Sequence, residues 1–449
     1  MPPADTEILL NRIARYGLPL LVLIFYVQAV RFLAFTPEHA FIVPTYAAGM
    51  VEGVGLEGPR WDTDVGTPSP LWLLLVAAGG ALGIDLMLTA KIFGLFFGSL
   101  TVLVSYLLAV EMLGDRIIAL CIALLVATGP WLMMASVAGD GITLALALSL
   151  AGLFFYLRGE FLLGLLMATL AGLVLWPALL LGAICVVDHL RRAPTASERR
   201  RRGTTAGLLY VSLLASWVLL AWRLGGGVVP RATGTLLALD PVTTAALALL
   251  VATGLVIIFV AASRKQIAIG RHSMLVPTLL WSAVAIAPGI AGRTDAVLLA
   301  YPVLMTMGFL GLSLLYPPLS PDGRLRLGPI FAITAVLLLA NQAGLHFFTR
   351  PMMLAGAVEV AQLESAASWV RASASPEASV AADQPWTISY LTGGAVRPFS
   401  ETAQPDPDVV VLSHGEVPGY VRSYRAPIEL GPGGAEIYGE VSVWTKSGD

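Results

Sequence analysis

From about residue 70 to Phe348 the sequence is almost continuously apolar, and this run limits what the chain can fold into. Hydrophobic residues make up 57% of the 449 residues and charged residues only 12%, and the mean hydropathy is +0.80. A soluble globular protein carries roughly 25% charged residues, so this chain has too few to cover a surface that faces water. Most of the chain must therefore lie in lipid, which excludes a soluble enzyme, a secreted mini-protein and a disordered scaffold.

Charge and cysteine content exclude further classes. The formal net charge is −2, which argues against a nucleic-acid partner. The two cysteines, Cys121 and Cys185, both fall inside apolar runs. On their own they form neither a zinc site nor a disulfide framework.

The apolar run divides into helices that could each cross a bilayer. Crossing the hydrocarbon core takes about 20 apolar residues, and the sequence predicts about 11 crossings on this criterion. The first apolar run, Gly17–Phe35, lacks a small-x-small cleavage site, so we interpret it as an uncleaved helix and not a signal peptide. The later candidate spans are Leu88–Leu113, Ile117–Val137, Ile142–Leu157, Phe161–Asp188, Thr204–Trp222, Pro241–Ser263, Met274–Ile290, Ala296–Tyr316 and Gly328–Phe347.

Two stretches leave the topology open. In one arrangement Pro70–Gly83 spans fully and Phe161–Asp188 is one helix, which makes Asp140 cytoplasmic. In the other, Pro70–Gly83 is interfacial and Phe161–Asp188 breaks near Trp176, which makes Asp140 external. The second arrangement also keeps two further arginines on the cytoplasmic side, so we favour it.

Clusters of basic residues orient the chain. Arg12 and Arg15 precede the first span, and six arginines occupy the loop 191–202. The positive-inside rule makes these segments cytoplasmic, together with the loops around Lys265 and Arg324. Arginine outnumbers lysine 24 to 3, which fits a GC-rich bacterial genome. We therefore expect a multi-pass protein of the bacterial cytoplasmic membrane with a cytoplasmic N-terminus and an extracytoplasmic tail.

Polarity divides the chain into two parts. Residues 1–349 form the membrane part, with a polar external loop at 36–69. Residues 350–449 carry 12 acidic and 6 basic side chains and read as a small α/β domain. The predicted fold class is thus an all-α polytopic membrane protein with a small extracytoplasmic α/β domain at its C-terminus. The predicted elements of the tail are a helix at 357–374, strands at 378–382, 408–412 and 436–445, and a glycine turn at 392–395.

Ionisable residues are scarce in the predicted spans and gather in the external loops. Transport pathways usually place such residues deep in the spans, which counts against a transporter or flippase for a lipid-linked sugar. A site at the outer membrane boundary instead suits a substrate with a polar head and a lipid tail. The polar loop residues are Glu38, His39, Glu52, Glu57, Arg60, Asp62, Asp64, Asp140, Arg223, Arg231, Arg293 and Asp295.

The first external loop carries motifs in a recognisable order. Glu38-His39 comes first, Tyr46 and a Gly-x-Gly turn at 53–55 follow, and Pro70-Leu71-Trp72 begins the next helix. This succession resembles the first external loop of the GT-C membrane glycosyltransferases, which begins with an acidic pair. The tail resembles the periplasmic domain of the branch that uses polyprenyl-phosphate sugars and includes mycobacterial arabinofuranosyltransferases and mannosyltransferases. The resemblance covers nearly the whole chain in order.

The resemblance implies a site and a reaction. Glu38 takes the place of the catalytic base, His39 that of the second acidic residue, and Asp140 adds a carboxylate. A carboxylate about 3 Å from a sugar hydroxyl can take its proton as the new bond forms. Glu38 and Asp140 would hold a divalent cation, Mg²⁺ or Mn²⁺, if the reaction uses one. Because the guanidinium fork matches phosphate oxygens, the candidate contacts to the donor phosphate are Arg223, Arg231 and Arg293.

Three departures from the family pattern favour a second hypothesis. His39 stands where Asp or Glu is usual, Pro68 where some relatives carry Lys, and Trp176 where the family has Arg in a broken helix. An inactive GT-C-fold accessory subunit, bound to a membrane protein partner, would tolerate these changes. Simpler roles also stay open: Glu38-His39 as a helix cap, Asp140 as a first-turn acid, and the arginines as groups that reach the headgroups.

Overall fold

The structure is a computed structural model, and helices dominate it. It describes residues 4–53, 69–192, 195–225, 241–263, 277–278, 280–282, 294–315, 328–375, 377–399, 407–415, 417–426 and 441–446. The helices are α1 (Ala4–Ala29), α2 (Ile42–Val51), α3 (Pro70–Ala81), α4 (Leu86–Leu113), α5 (Arg116–Ala127), α6 (Pro130–Ala138), α7 (Ile142–Leu157), α8 (Phe161–Gly172), α9 (Leu179–Arg191), α10 (Ala196–Gly225), α11 (Pro241–Ser263), α12 (Thr294–Leu315), α13 (Gly328–Gly344), α14 (Arg350–Ser373) and α15 (Pro385–Thr392). Short 3₁₀ turns lie at Val30–Phe32, Glu38–Phe41 and Trp176–Ala178, and a π turn, Leu345–Thr349, joins α13 to α14.

Capping residues set the ends of the two central helices. The Asp85 side chain accepts a hydrogen bond from the Leu88 N–H at the start of α4. Gly114 ends α4 with φ of 70°, and Asp115 accepts from the first N–H groups of α5. These side chains satisfy backbone donors that have no partner within the helix. The sequence Gly114-Asp115 therefore closes one helix and opens the next without a loop.

Proline breaks two of the predicted spans. We expected one helix over Ile117–Val137, and that prediction is wrong, because α5 and α6 meet at a bend of 53°. Gly129-Pro130 causes the bend, since proline lacks the N–H that would continue the helix. The 161–188 stretch is also broken, at the 3₁₀ turn Trp176–Ala178, as the favoured topology requires.

The apolar helices are those of a membrane protein. Among the described residues, four helices are long and apolar enough to cross a bilayer, or up to five when the bent pair α5–α6 is taken as one span. The 12-residue α3 is apolar but shorter than a span. The figure of about 11 crossings stays a prediction.

Glycines allow two pairs of helices to approach closely. A Cβ atom on Gly152 of α7 would lie 3.0 Å from the backbone nitrogen of Ala168 in α8. A Cβ atom on Gly254 of α11 would lie 2.7 Å from the Cα atom of Gly308 in α12. Small residues at such crossings let membrane helices gain van der Waals contact that bulkier side chains would prevent.

The tail folds around a five-stranded mixed sheet. Its strands are β1 (Val380–Ala382), β2 (Val396–Pro398), β3 (Val409–Leu412), β4 (Tyr420–Arg425) and β5 (Ser442–Lys446), in the order β2-β1-β3-β5-β4. Strand β1 pairs in parallel with β2 and β3, whereas β5 runs antiparallel to β3 and β4. Leu363, Ala367 and Val370 of α14 pack against Val411 and Val443 of the sheet. The sheet therefore buries one face against the helix that emerges from the membrane part.

The sequence predicted part of this tail. The helix at 357–374 lies within α14 except for its last residue, and the first two predicted strands contain β1 and β3. Of the predicted strand at 436–445, residues 436–440 lie outside the described residues and residues 442–445 belong to β5. Strand β4 and helix α15 were not predicted, because β4 is an exposed polar edge strand and α15 is only eight residues long.

Helix α15 holds the tail against the residues that begin the loop 36–69. Trp386 packs with Phe41 and Ile42 of the loop, and its ring lies 5.8 Å from that of Tyr46. Tyr390 donates a hydrogen bond to the Asp85 carboxylate at 3.3 Å. A buried aromatic cluster of this kind fixes the two parts of the chain against each other, and Glu38 lies at its edge.

Candidate active site

Glu38 begins a short 3₁₀ turn at the junction of loop and tail. Pro37 precedes it in an extended conformation, with φ of −72° and ψ of 152°, and so directs the chain into the turn. The backbone N–H of Trp386 donates a hydrogen bond to the Glu38 carboxylate. A residue of the tail thus orients the side chain that the sequence singles out in the loop.

The surroundings of Glu38 favour its protonated form. The pKa of Glu38 is raised to about 7, chiefly by burial, and the negative charges of Asp383 and Glu359 contribute in the same direction. The hydrogen bond from Trp386 opposes this rise but does not cancel it. A carboxyl whose pKa lies near neutral pH can exchange a proton with substrate in either direction, which suits a general base.

The tail contributes both neighbouring carboxylates and fixes them with hydrogen bonds. Gln384 donates to the Glu359 carboxylate and also to the Ser413 hydroxyl, at 3.3 Å. The backbone N–H of Ser413 donates to Asp383 at 2.7 Å. Burial raises the pKa of Asp383, while the bonds from Ser413 lower it. The carboxylates near Glu38 are therefore held in place and are not free to turn towards solvent.

Glu38 and His39 open onto a cavity of about 370 Å³. Its lining includes the polar side chains of Glu359 and Gln384 and a set of apolar residues, which we call its apolar wall. We refer to it below as the acidic cavity. The apolar wall is formed by Phe35, Met134, Met352, Ala355, Gly356 and Val360. The cavity thus combines carboxylates with a surface that an alkyl or sugar-ring face can contact.

His39 and Asp140 form a pair behind this cavity. The Nε2 atom of His39 lies 3.3 Å from Oδ2 of Asp140, whose side chain is only 6% exposed. The other carboxylate oxygen accepts the Ile142 N–H at 3.0 Å. A His side chain with one ring nitrogen bonded to a carboxylate has a fixed ring orientation and tautomer. Asp140 therefore both caps α7 and positions His39.

The turn that carries Asp140 is built around Trp72. Gly139 and Gly141 have φ values of 85° and 82°, which disfavour other residues. The Trp72 indole donates to the Gly139 carbonyl at 3.1 Å, and a Cβ atom on Gly141 would lie 2.7 Å from the indole ring. Trp72 is thus a packing residue that fixes the backbone on either side of Asp140.

Lys91 was not predicted as a site residue, yet its hydrogen bonds hold the backbone that leads to Glu38. This side chain is buried on α4 and donates to the carbonyls of Leu33 and Phe35, the latter at 3.1 Å. Asp85 and Glu364 supply nearby negative charge. Lys91 therefore holds the chain between α1 and Glu38. The signal was present in the sequence, because an ionisable side chain inside an apolar helix suggests a functional site.

The remaining predicted residues have different outcomes. Within the part of the chain that the structure describes, no hydrogen bond or ion pair joins Glu38 to Asp140, and His39 lies between them. Arg223 lies near the end of α10, but its side chain is not among those described. Arg231 and Arg293 lie outside the described residues.

The donor set does not assemble a metal centre on its own. Among the described residues, no group of three or more His, Cys, Asp or Glu side chains is arranged to hold a metal ion. Both Asp140 oxygens already accept hydrogen bonds, and Glu38 is stabilised in its neutral form. We therefore derive no step through a cation, and the Mg²⁺ or Mn²⁺ site stays a prediction.

Solved structures share the architecture of the whole chain. ArnT from Cupriavidus metallidurans, bound to undecaprenyl phosphate, superposes with a TM-score of 0.60 at 13% identity, over 99% of both chains. The structure has the GT-C fold. The archaeal oligosaccharyltransferase AglB from Archaeoglobus fulgidus, in complex with an inhibitory peptide and a dolichol-phosphate, matches 86% of this chain with a TM-score of 0.53 at 13% identity. The arabinofuranosyltransferase AftD from Mycobacteria matches 98% of it with a TM-score of 0.53 at 13% identity.

These likenesses confirm the resemblance seen in the sequence at the level of the GT-C fold. The chain spans 64% of the length of AglB and 42% of the length of AftD. No family model matches the sequence, and no curated protein matches it. At 13% identity the GT-C fold is what is shared, and the chemistry has to be argued from the residues of this chain.

Proposed function

We propose that this protein is an integral-membrane glycosyltransferase that moves a sugar from a polyprenyl-phosphate donor to an acceptor hydroxyl on the extracytoplasmic face. The observation that carries the proposal is the acidic cavity, where Glu38 is half-buried and has a pKa of about 7. A carboxyl in a cavity with its pKa raised in this way is typical of a functional site.

The reaction follows from the chemistry of the groups in the cavity. The acceptor hydroxyl oxygen attacks the anomeric carbon, and its proton passes to the Glu38 carboxylate. The bond from the anomeric carbon to the phosphate oxygen breaks, and the electron pair leaves with the lipid phosphate. One base on the face opposite the leaving group gives inversion at this carbon. Asp140 holds His39 in a fixed orientation beside the base.

Two observations support a lipid-linked donor. The acidic cavity has an apolar wall that includes Met134 and Met352, which can contact the start of a lipid chain. Solved structures with this fold include one bound to undecaprenyl phosphate and one with a dolichol-phosphate. Arg223, Arg231 and Arg293 remain the proposed phosphate contacts. A divalent cation is also part of the proposal. Restoration of transfer by Mg²⁺ or Mn²⁺ after chelation would support it.

The proposed location is the bacterial cytoplasmic membrane, with the N-terminus inside and the tail outside. An inactive accessory subunit would have the cavity filled or collapsed. The open volume of about 370 Å³ beside Glu38 therefore favours the enzyme.

The test is transfer from a panel of polyprenyl-phosphate sugars by purified protein in lipid nanodiscs. Wild type is compared with Glu38→Gln and with Glu52→Gln, which changes an exposed carboxylate of the same loop. We expect Glu38→Gln to lower turnover about 10²-fold or more, because it removes the base. Glu52→Gln should behave as wild type. Equal turnover of all three proteins would contradict the assignment of Glu38.

A further inference from the structure

A second cavity lies beside the acidic cavity and has the opposite charge. Its volume is about 340 Å³. Arg31, in the 3₁₀ turn that follows α1, and Arg350, which begins α14, face it together with His346 of the π turn. We call it the cationic cavity. The other lining residues are Gln28, Phe32, Gln342, Leu345 and Leu354.

Among the described residues, no carboxylate neutralises the two guanidinium groups. No Asp or Glu oxygen of the described ranges lies within 4.0 Å of Arg31 or Arg350. Both side chains are exposed. The planar guanidinium fork matches the oxygens of phosphate and carboxylate groups. Two arginines that face one cavity therefore suit an anionic ligand.

A buried amide lines the same cavity. The Oε1 atom of Gln28 is shielded from solvent and has no hydrogen-bond partner among the described residues. The oxygen and nitrogen atoms of a side-chain amide are assigned from their hydrogen-bond partners. Rotating the Gln28 amide by half a turn would present its N–H₂ to a ligand oxygen. The adjacent π turn, Leu345–Thr349, interrupts the long helix at this point, as π turns at functional sites often do.

The surface around the cationic cavity is apolar. Val27 and Val30 of the α1 end are about half exposed, and Phe347 of the π turn is 69% exposed. Exposed apolar side chains on membrane helices face the lipid chains. A ligand held here by its charged head would therefore lie with its tail along these residues, which favours a lipid over a free anion.

We propose that the cationic cavity binds the phosphate of a membrane lipid that carries a phosphomonoester. A phosphomonoester bears about −1.5 to −2 charges near pH 7, which two guanidinium groups balance. Arg31 and Arg350 bind the phosphate oxygens, and Gln28 donates to a third oxygen. Phe32 lines this cavity and Phe35 lines the acidic one, so the head of such a lipid lies next to Glu38. That this lipid is the polyprenyl carrier rests on the proposed function; the binding site itself does not.

The test measures lipid binding directly and needs no transfer. Purified protein in nanodiscs of phosphatidylcholine is titrated with undecaprenyl phosphate, with phosphatidic acid and with inorganic phosphate. The variants are Arg31→Gln, Arg350→Gln and the double substitution, with Arg371→Gln as the matched control. Arg371 is an exposed arginine at the other end of α14. Glu38→Gln is included to separate binding from catalysis.

We expect each single substitution to weaken lipid binding about tenfold and the double substitution to weaken it further. Arg371→Gln and Glu38→Gln should bind as wild type.

Binding of undecaprenyl phosphate alone identifies the carrier as the ligand, and binding of both lipids identifies a general phosphomonoester site. Unchanged lipid affinity in the double variant would overturn the proposal. Inorganic phosphate that competes at the same concentration as the lipids would overturn it as well. Wild-type protein that binds these lipids but transfers no sugar from any donor would count against the proposed function only.

Discussion

The two cavities on either side of residues 31–38 are similar in volume and opposite in charge. The acidic cavity presents Glu38 beside Glu359 of the tail, while the cationic cavity presents two arginines that have no carboxylate partner among the described residues. A carboxylate next to a phosphate would be repelled by it, and an arginine next to the base would lower its pKa. Separate cavities let one chain hold a phosphate and keep Glu38 close to neutral pH. The following experiments change one cavity, or both.

Removing Trp386 should have the largest effect, confined to the acidic cavity. Trp386→Ala deletes a buried ring from the cluster with Phe41 and Tyr46 and should lower the free energy of unfolding of the tail by about 3–5 kcal/mol. The hydrogen bond to Glu38 would shift with the backbone, so transfer should fall as well. Trp369→Ala, which removes a ring stacked on Tyr424 inside the tail, is the control.

Thermal unfolding and lipid binding of both variants check this prediction. Trp369→Ala should destabilise the tail while Glu38 retains its surroundings. Trp386→Ala should leave binding of lipid phosphate in the cationic cavity intact. If both variants impair transfer equally at a temperature where both are folded, then α15 does not position Glu38.

Lys91→Met should disturb both cavities together. The substitution keeps the length of the side chain but leaves the carbonyls of Leu33 and Phe35 without their donor, at a cost of about 1–3 kcal/mol. The segment they belong to lies between Arg31 and Glu38. We expect transfer and lipid binding to fall together, as measured in the same nanodisc preparation. Ile92→Met, at an exposed neighbour on α4, should change neither, and a loss in only one assay would contradict the shared role of Lys91.

Sequence reasoning located one side of the site and missed the other. The ordered motifs of the first loop pointed to Glu38 and His39, and a separate match further along the chain pointed to Asp140, which the structure places against His39. Glu359 and Asp383 lie more than 300 residues from Glu38 along the chain, and no local pattern encodes such a pairing. The packing of the helices and the sheet of the tail determines where these carboxylates lie relative to Glu38.

The fold itself was predictable where local chemistry decides it. Apolar length predicted α4, α7 and α11 closely, since each residue run matches a helix that can be buried in lipid. The bend at Gly129-Pro130 was missed because average hydropathy ignores the one residue that lacks a backbone donor. The pair Arg31 and Arg350 was missed because the two residues lie more than 300 positions apart along the chain and meet only at the cavity that both line.

Substitutions at Asp140 separate its two roles. Asp140→Ala removes the cap of α7 and should lower the free energy of unfolding by about 1 kcal/mol, whereas Asp140→Asn keeps an acceptor for the Ile142 N–H. Both variants remove the negative charge next to His39 and should reduce transfer. Denaturation and turnover measured on the same samples distinguish the roles. Wild-type turnover in Asp140→Asn would mean that Asp140 is a helix cap alone.

Glu359→Gln should give the smallest effect, a displaced pH profile. Removing this negative charge makes ionisation of Glu38 easier, so the pKa of Glu38 falls. The amide still accepts the hydrogen bond from Gln384, so the structure should be kept. The acidic limb of transfer against pH should therefore move to lower pH by a fraction of a unit. Glu377→Gln, an exposed carboxylate of the tail, should leave the limb in place.

The most direct test of Glu38 as the base is the pH dependence of kcat/KM for wild type between pH 5.5 and 8.5. The titratable groups that face Glu38 are His39, Glu359 and Asp383. Because only the ionised carboxylate can accept a proton, transfer should rise with pH below about 7 and level off above it. The residual activity of Glu38→Gln should lack this limb. A flat wild-type profile, or the same limb in Glu38→Gln, would contradict the account.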